Sequence, residues 1–166
     1  MLRKLLCLAA VALLTACGST SVVRQPVATT SNSSSYAVGA IVNATPKDGD
    51  QPPQYFIGAV GDVLKNELSK VNRLAAPGQT EAVAIDIKIV SYRMRSGFSR
   101  MMFGVLAGKD GIESEVTMRD PKTGAVLGAS TVSTFNVMAV GGQEDVARMH
   151  AEEIGKFVLA AATPTR

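Results

Sequence analysis

Between residues 83 and 90 the chain alternates strictly, with Val83, Ile85, Ile87 and Ile89 opposed to Ala84, Asp86, Lys88 and Val90. A period of two puts the first set on one face of a β-strand, so an apolar sheet face must exist and something must cover it. The cover lies on either side in the sequence. Ile57, Val60, Leu64, Leu68 and Val71 recur at helical spacing, with Asp62, Lys65, Asn66, Glu67 and Lys70 on the opposite side. Pro53 suits the start of this helix, and Pro77-Gly78 follows its end. Gly58 and Gly61 lower its propensity and predict close approach to a neighbour. After Gly141-Gly142-Gln143, a second stripe of Val146, His150, Ile154, Phe157 and Ala161 marks another helix.

Other stretches read as strands. Tyr36 to Asn43 sets Val38, Ala40 and Val42 on one side, and Ile112 to Arg119 sets Ile112, Val116 and Met118 against Glu113, Glu115 and Thr117. Asp120-Pro121-Lys122-Thr123-Gly124 has Pro and Gly at turn positions before the β-leaning run Ala125 to Phe135, which predicts a hairpin. The order is β-α-β-β-β-α. The expected fold class is α+β, a two-layer sandwich with both helices on one face of a mostly antiparallel sheet. If the first two strands pair in parallel, the helix between them forms a right-handed crossover.

The first 35 residues follow another logic. Arg3-Lys4, the apolar run Leu5 to Leu13 and the small residues after it form a secretory signal pattern. The apolar run is too short for a membrane span, which needs about 20 residues. Leu14-Thr15-Ala16-Cys17 resembles the lipobox of bacterial lipoproteins. The resemblance implies cleavage before Cys17, a diacylglycerol on its thiol and an acyl chain on the new amino terminus. The other reading is an ordinary secreted protein with a chance cysteine. Residue 18 is glycine rather than aspartate, which by resemblance to Gram-negative lipoproteins implies the outer membrane, with the chain facing the periplasm. Gly18 to Ser35 is rich in Ser and Thr without an apolar period, and a flexible tether of that length would reach about 20–25 Å. The expected division is therefore a signal peptide at 1–16, a lipidated Cys17 with its tether at 17–35, and one periplasmic domain at 36–162.

Removal of residues 1–16 leaves 150 residues, enough for one domain with its own core. The only cysteines are Cys7 and Cys17, so no disulfide is available to the mature chain. Loss of Arg3 and Lys4 lowers the net charge from +3 to +1, which removes the case for nucleic-acid binding. No later segment has the apolar length of a spanning helix, so the lipid at Cys17 would be the membrane attachment.

A strand ending in Arg93-Met94-Arg95-Ser96-Gly97 is followed by Arg100, Gly104 and Gly108, then by the run Asp120 to Gly128, Gly141-Gly142 and the closing helix. From about Glu81 to Leu159 this pattern resembles a family of Gram-negative envelope lipoproteins whose C-terminal region is a domain of unknown function. The resemblance implies no activity. At the level of architecture the chain is also similar to small outer-membrane lipoproteins that assist lipid or lipopolysaccharide transport.

Catalytic and metal chemistry is sparse. His150 is the only histidine, and with Glu153 it falls short of the three or four ligands of a zinc site. On an apolar stripe it reads as a core-boundary residue hydrogen-bonded to a neighbour. There is no Gly-x-Ser-x-Gly elbow for a serine hydrolase. Gly104 to Asp110 misses the phosphate-loop spacing and has aspartate in place of the Ser/Thr that would hold magnesium. Glu113 and Glu115 share a strand face, as a solvated face or for acid/base work. Asp48-Gly49-Asp50 lacks the distal glutamate of an EF-hand and reads as a turn. No cofactor or metal is expected.

The connection from Arg93 to Gly111 mixes Arg93, Arg95 and Arg100 with Met94, Phe98, Met101, Met102, Phe103, Val105 and Leu106. Apolar side chains with a charged rim mark contacts, which makes Arg95, Phe98, Arg100, Met101, Met102 and Phe103 the candidate interaction residues. The competing reading is that the two strands simply continue and bury these side chains. The expected function is a non-enzymatic lipoprotein that binds another envelope protein. The alternative is a module holding lipid or glycolipid beside the sheet with arginines on phosphate. A small hydrolase using His150 is third.

Overall fold

The computed structural model describes residues 17–27, 35–95, 109–136 and 142–160. Its elements are β1 (Cys17–Gln25), β2 (Tyr36–Asn43), α1 (Gln54–Lys70), β3 (Val83–Arg93), β4 (Asp110–Arg119), β5 (Val126–Asn136) and α2 (Gln143–Ala160). From Tyr36 onward this is the expected β-α-β-β-β-α order. The strands form one sheet in the order β1-β5-β4-β3-β2, antiparallel except for β2 and β3. The parallel pair is the one joined through α1, as a crossover requires. Among the described residues no helix is long and apolar enough to cross a membrane.

The core lies between the sheet and the helix layer. Val83, Ile85, Ile87 and Ile89 are all at most 1% exposed, and Ile112, Val116, Met118 and Val132 continue the apolar face across β4 and β5. At Val90 the register of β3 shifts by one residue, so Tyr92 rather than Ser91 turns inward and meets Phe56 edge to face at 5.0 Å. Phe56 thereby joins the start of α1 to the end of β3, a core role that the helical stripe from Ile57 onward did not include. From α1, Val60, Leu64 and Leu68 are fully buried, while Ile57 packs only at the core margin.

Val71, expected on that buried stripe, is instead 48% exposed. The helix has already ended there: Asn72 takes a left-handed φ of 55°, its N–H donates to Ser69 O at 3.0 Å, and Arg73 N–H donates to Leu68 O at 2.8 Å. This is a Schellman ending in which asparagine tolerates the conformation usually given to glycine. Of the two helix glycines, only Gly61 marks a close approach. A Cβ there would lie 3.0 Å from Ile41 Cδ1, whereas one at Gly58 would meet nothing within 4 Å.

The β4–β5 hairpin turns where the sequence predicts. Asp120 accepts from Lys122 N–H, Thr123 N–H and Thr123 Oγ1 at 2.8–3.0 Å, and Gly124 supplies the positive φ of 70°. These Thr123 hydrogen bonds first, and the one from Lys122, hold the Asp120 carboxyl below the usual range.

The tether expectation fails for residues 17–25. They form β1, paired antiparallel with β5 from Cys17↔Asn136 to Gln25↔Ala129. The apolar alternation that announces a half-buried strand is missing because the inward position Ser19 meets polar partners, Thr134 and the carbonyl of Met149. Ser, Thr and Val remain compatible with an extended edge strand.

Leu64→Asp places a carboxylate at a fully buried site and is expected to abolish cooperative folding, whereas Val71→Asp should change stability by no more than about 0.5 kcal/mol. Urea titrations followed by circular dichroism distinguish them; a normal transition for the Leu64 variant would mean that α1 does not cover the core.

Candidate functional site

His150 is completely buried on α2. Its Nε2 lies 2.8 Å from Ser114 Oγ on β4, and its Nδ1 lies 3.0 Å from Thr134 Oγ1 on β5. Thr134 Oγ1 is also 2.8 Å from Ser19 Oγ on β1, which donates to the carbonyl of Met149 at 3.4 Å. One proton order satisfies the whole chain: with the Ser19 proton committed to Met149, Thr134 donates to Ser19, Nδ1–H donates to Thr134, and Nε2 accepts from Ser114. The helix is thus tied by polar contacts to three strands.

A serine hydroxyl donating to a histidine nitrogen is half of a nucleophile–base arrangement. The remaining parts differ from that pattern. Nδ1 faces a hydroxyl instead of a carboxylate, Ser114 is fully buried, and burial pushes the imidazole pKa down to about 3. At neutral pH His150 is uncharged and a weak base. Glu153 is engaged elsewhere, with Lys156 at 3.0 Å. Ser19, Ser114 and Thr134 escaped sequence reading, although Ser114 leaves a trace as the one hydroxyl in the inward row Ile112, Ser114, Val116, Met118.

Of the candidate interaction residues, Phe98, Arg100, Met101, Met102 and Phe103 lie outside the described residues. Arg95 is described, and it is interior rather than part of a contact rim, at 7% exposed. Asp110, fully buried, accepts Arg95 N–H at 2.7 Å, Nε–H at 3.1 Å and a guanidinium N–H at 3.4 Å, and the guanidinium also donates to Asn136 O at 3.3 Å. The ends of β3, β4 and β5 are fastened by this pair. Met94 also packs against the core.

Among the described residues the opposite face of the sheet carries no helix, and it is laced with charge. Glu115 lies 3.4 Å from Lys88 and 3.5 Å from Arg24, Asp86 pairs with Arg119 at 3.0 Å, and Glu113 accepts from Ser133 at 2.8 Å. Glu113 and Glu115 are therefore separately engaged, as on a solvated face. Two open clefts lie here, one of about 400 Å³ around Val42, Lys88 and Arg119 and one of about 210 Å³ around Arg93, Lys109 and Phe135. Gly49 N–H donates to Pro46 O at 3.0 Å, so Asp48 and Asp50 sit in a turn. Among the described residues no three His, Cys, Asp or Glu side chains gather as a metal site.

Two measurements test these roles. The folded-state pKa of His150 lies below its unfolded value, so the unfolded chain binds the extra proton; stability is complete above about pH 6.5 and falls by about 1.4 kcal/mol per unit as pH drops toward 3. Urea unfolding across that window should show His150→Gln lacking this part of the slope, and equal slopes would contradict a buried neutral imidazole. Asp110→Ala strands the Arg95 charge and is expected to cost about 3–5 kcal/mol, while Arg95→Met with Asp110→Leu recovers most of it.

No curated protein matches the sequence. Among solved structures, the fold is similar to the PelC dodecamer from Paraburkholderia phytofirmans, with 17% identity, a TM-score of 0.54, and coverage of 83% of this chain and 97% of that one. A single-substitution variant of that dodecamer gives 15% identity and a TM-score of 0.54 over 84% of this chain and 98% of the other. At such identities the likeness shows a shared fold alone. The sequence profile of a family described as a domain of unknown function (DUF4410) matches residues 43–142, from the end of β2 to the threshold of α2, and the chain belongs to that family.

Proposed function

We propose that the protein is an envelope lipoprotein, anchored by lipid at Cys17 in the outer membrane and facing the periplasm, which acts by binding protein and not by catalysis. The anchor reading rests on Leu14-Thr15-Ala16-Cys17 behind a signal-like run. A buried histidine without charge or carboxylate partner supports the non-catalytic part.

The observation that carries the binding part is the contrast between the two sheet edges. The edge at β2 is blunted. Its register shifts between Val38 and Ile41, Ala40 N–H turns to Asp86 Oδ1 at 3.3 Å, and residues 73–75 cover its start through hydrogen bonds of 2.7 and 2.8 Å with Tyr36. The edge at β1 runs for nine residues with no proline and a single charge, Arg24, and its Val22 and Val23 are 65% and 50% exposed. Such an edge is a template for an added strand. The partner of first choice is a second copy of this chain, and the dodecameric PelC structure with its similar fold supports that choice.

Sedimentation of the lipidated protein in detergent is expected to show an oligomer, which the double variant Val22→Lys/Val23→Lys converts to monomer while its melting stays within about 0.5 kcal/mol of the parent. A photo-crosslinker at Val22 should yield protein adducts in cells. A monomeric parent with no protein adduct would overturn the reading, and adducts to lipid alone would favour a lipid-holding role.

A further inference from the structure

In β1, Cys17 is itself a paired residue, opposite Asn136, which in turn pairs with Asp110. The buried Arg95–Asp110 pair fastens this same end of the sheet. One row further in, Gly18, Phe135, Gly111 and Arg93 lie side by side across four strands. Gly18 sits so close to Phe135 that a Cβ there would be 3.0 Å from the ring, and Lys109 Nζ stands 5.1 Å from the ring centroid. Phe135, Lys109 and Arg93 line a common open cleft, together with Glu113, whose carboxylate accepts from Ser133.

A lipid on Cys17 would have no spacer between its acyl chains and the sheet, because the strand starts at the modified residue. The domain could not tumble freely on a tether; one of its ends would be held at the bilayer. Arg93 and Lys109, like Lys47 in the turn before α1, are exposed cations with no acidic partner among the described residues, whereas Arg24, Lys65, Lys70, Lys88, Arg119, Lys122, Arg148 and Lys156 all have one. Asp48 and Asp50 share a second cleft with Arg93 on the β2 side, which leaves Lys109 and Phe135, nearest Cys17, as the strongest pairing of cation and aromatic ring. Aromatic rings and basic side chains are the groups that settle at the headgroup level of a membrane.

Resting on the lipoprotein reading above, we infer that this end of the sheet is a membrane-docking face. Phe135 lies at the interface, and Lys109 and Arg93 meet phosphates of the leaflet that holds the Cys17 lipid. Across four strands at about 4.8 Å spacing, the row from Arg93 to Gly18 spans about 15 Å of the leaflet, with both cations on its β3–β4 side. The sheet then stands on its end, with the Asp120–Gly124 turn pointing away from the membrane.

The test uses the full-length lipidated protein in phosphatidylethanolamine/phosphatidylglycerol vesicles that contain a headgroup spin-labelled lipid. A fluorophore is placed through Ser91→Cys at the docking end or Lys122→Cys at the far end. The Ser91 label should be quenched at least threefold more strongly than the Lys122 label, and Lys109→Glu with Arg93→Glu should cut that difference by at least half. Equal quenching at both positions, or a difference indifferent to the charge reversals, overturns the docking face. The intact mass of the mature protein separates the two levels: chains without acyl groups would overturn the lipoprotein reading itself, and docking with it.

Discussion

The contact on which the sandwich most depends is a neutral imidazole in its interior. His150 satisfies both ring nitrogens with hydroxyls of two strands, and one of these, Thr134, passes the connection to a third strand through Ser19. An apolar residue in its place would leave the buried Ser114 without its imidazole acceptor and Thr134 with Ser19 alone, at a cost of about 1–3 kcal/mol for a group left unpaired. The network fixes the angle and register of α2 over the sheet, because hydrogen bonds are directional where apolar packing is tolerant. The burial that makes these hydrogen bonds count also lowers the basicity of the imidazole.

A second polar device acts at the sheet end. Arg95 and Asp110 bring full charges into the interior, where attraction must offset a desolvation penalty of several kcal/mol per ion. Multiple hydrogen bonds to one carboxylate make that balance workable, and the bond to Asn136 O spreads the restraint over the neighbouring strand. Together the histidine and the ion pair place specific, directional contacts at the middle and at one end of β4 and β5, with apolar packing filling the rest.

Most of the architecture was legible because it rests on periodicity. The alternation of Val83 to Ile89 and the two helical stripes imply a covered sheet, and the Asp120–Gly124 turn joins its hairpin. What escaped is what periodicity does not encode. β1 was hidden because its inward side chain is a serine that meets hydroxyls, so the pattern of a half-buried strand never appears. Val71 was misplaced because a stripe continues past the point where Asn72 stops the helix. Arg95 looked like rim charge because its partner Asp110 lies fifteen residues away, across a chain reversal no local pattern reports. For His150 the boundary position on an apolar face could be read, whereas its partners, Ser114 and Thr134, come from two strands that no local pattern ties to the helix.

The pairing of β1 with β5 also has a kinetic meaning. It joins residues more than one hundred positions apart, such as Ser19 and Thr134, while β3, β4 and β5 pair with near neighbours in the chain. Loop closure over that span is slow to be repaid, so β1 is expected to arrive last. Until then β5 is itself an outer strand with unpaired amides, and Thr134 and the Met149 carbonyl lack Ser19. Completion of folding therefore waits on Cys17–Gln25, a segment synthesised before any of the strands it joins, and an intermediate with an open β5 edge is the species most exposed to misassembly on the way.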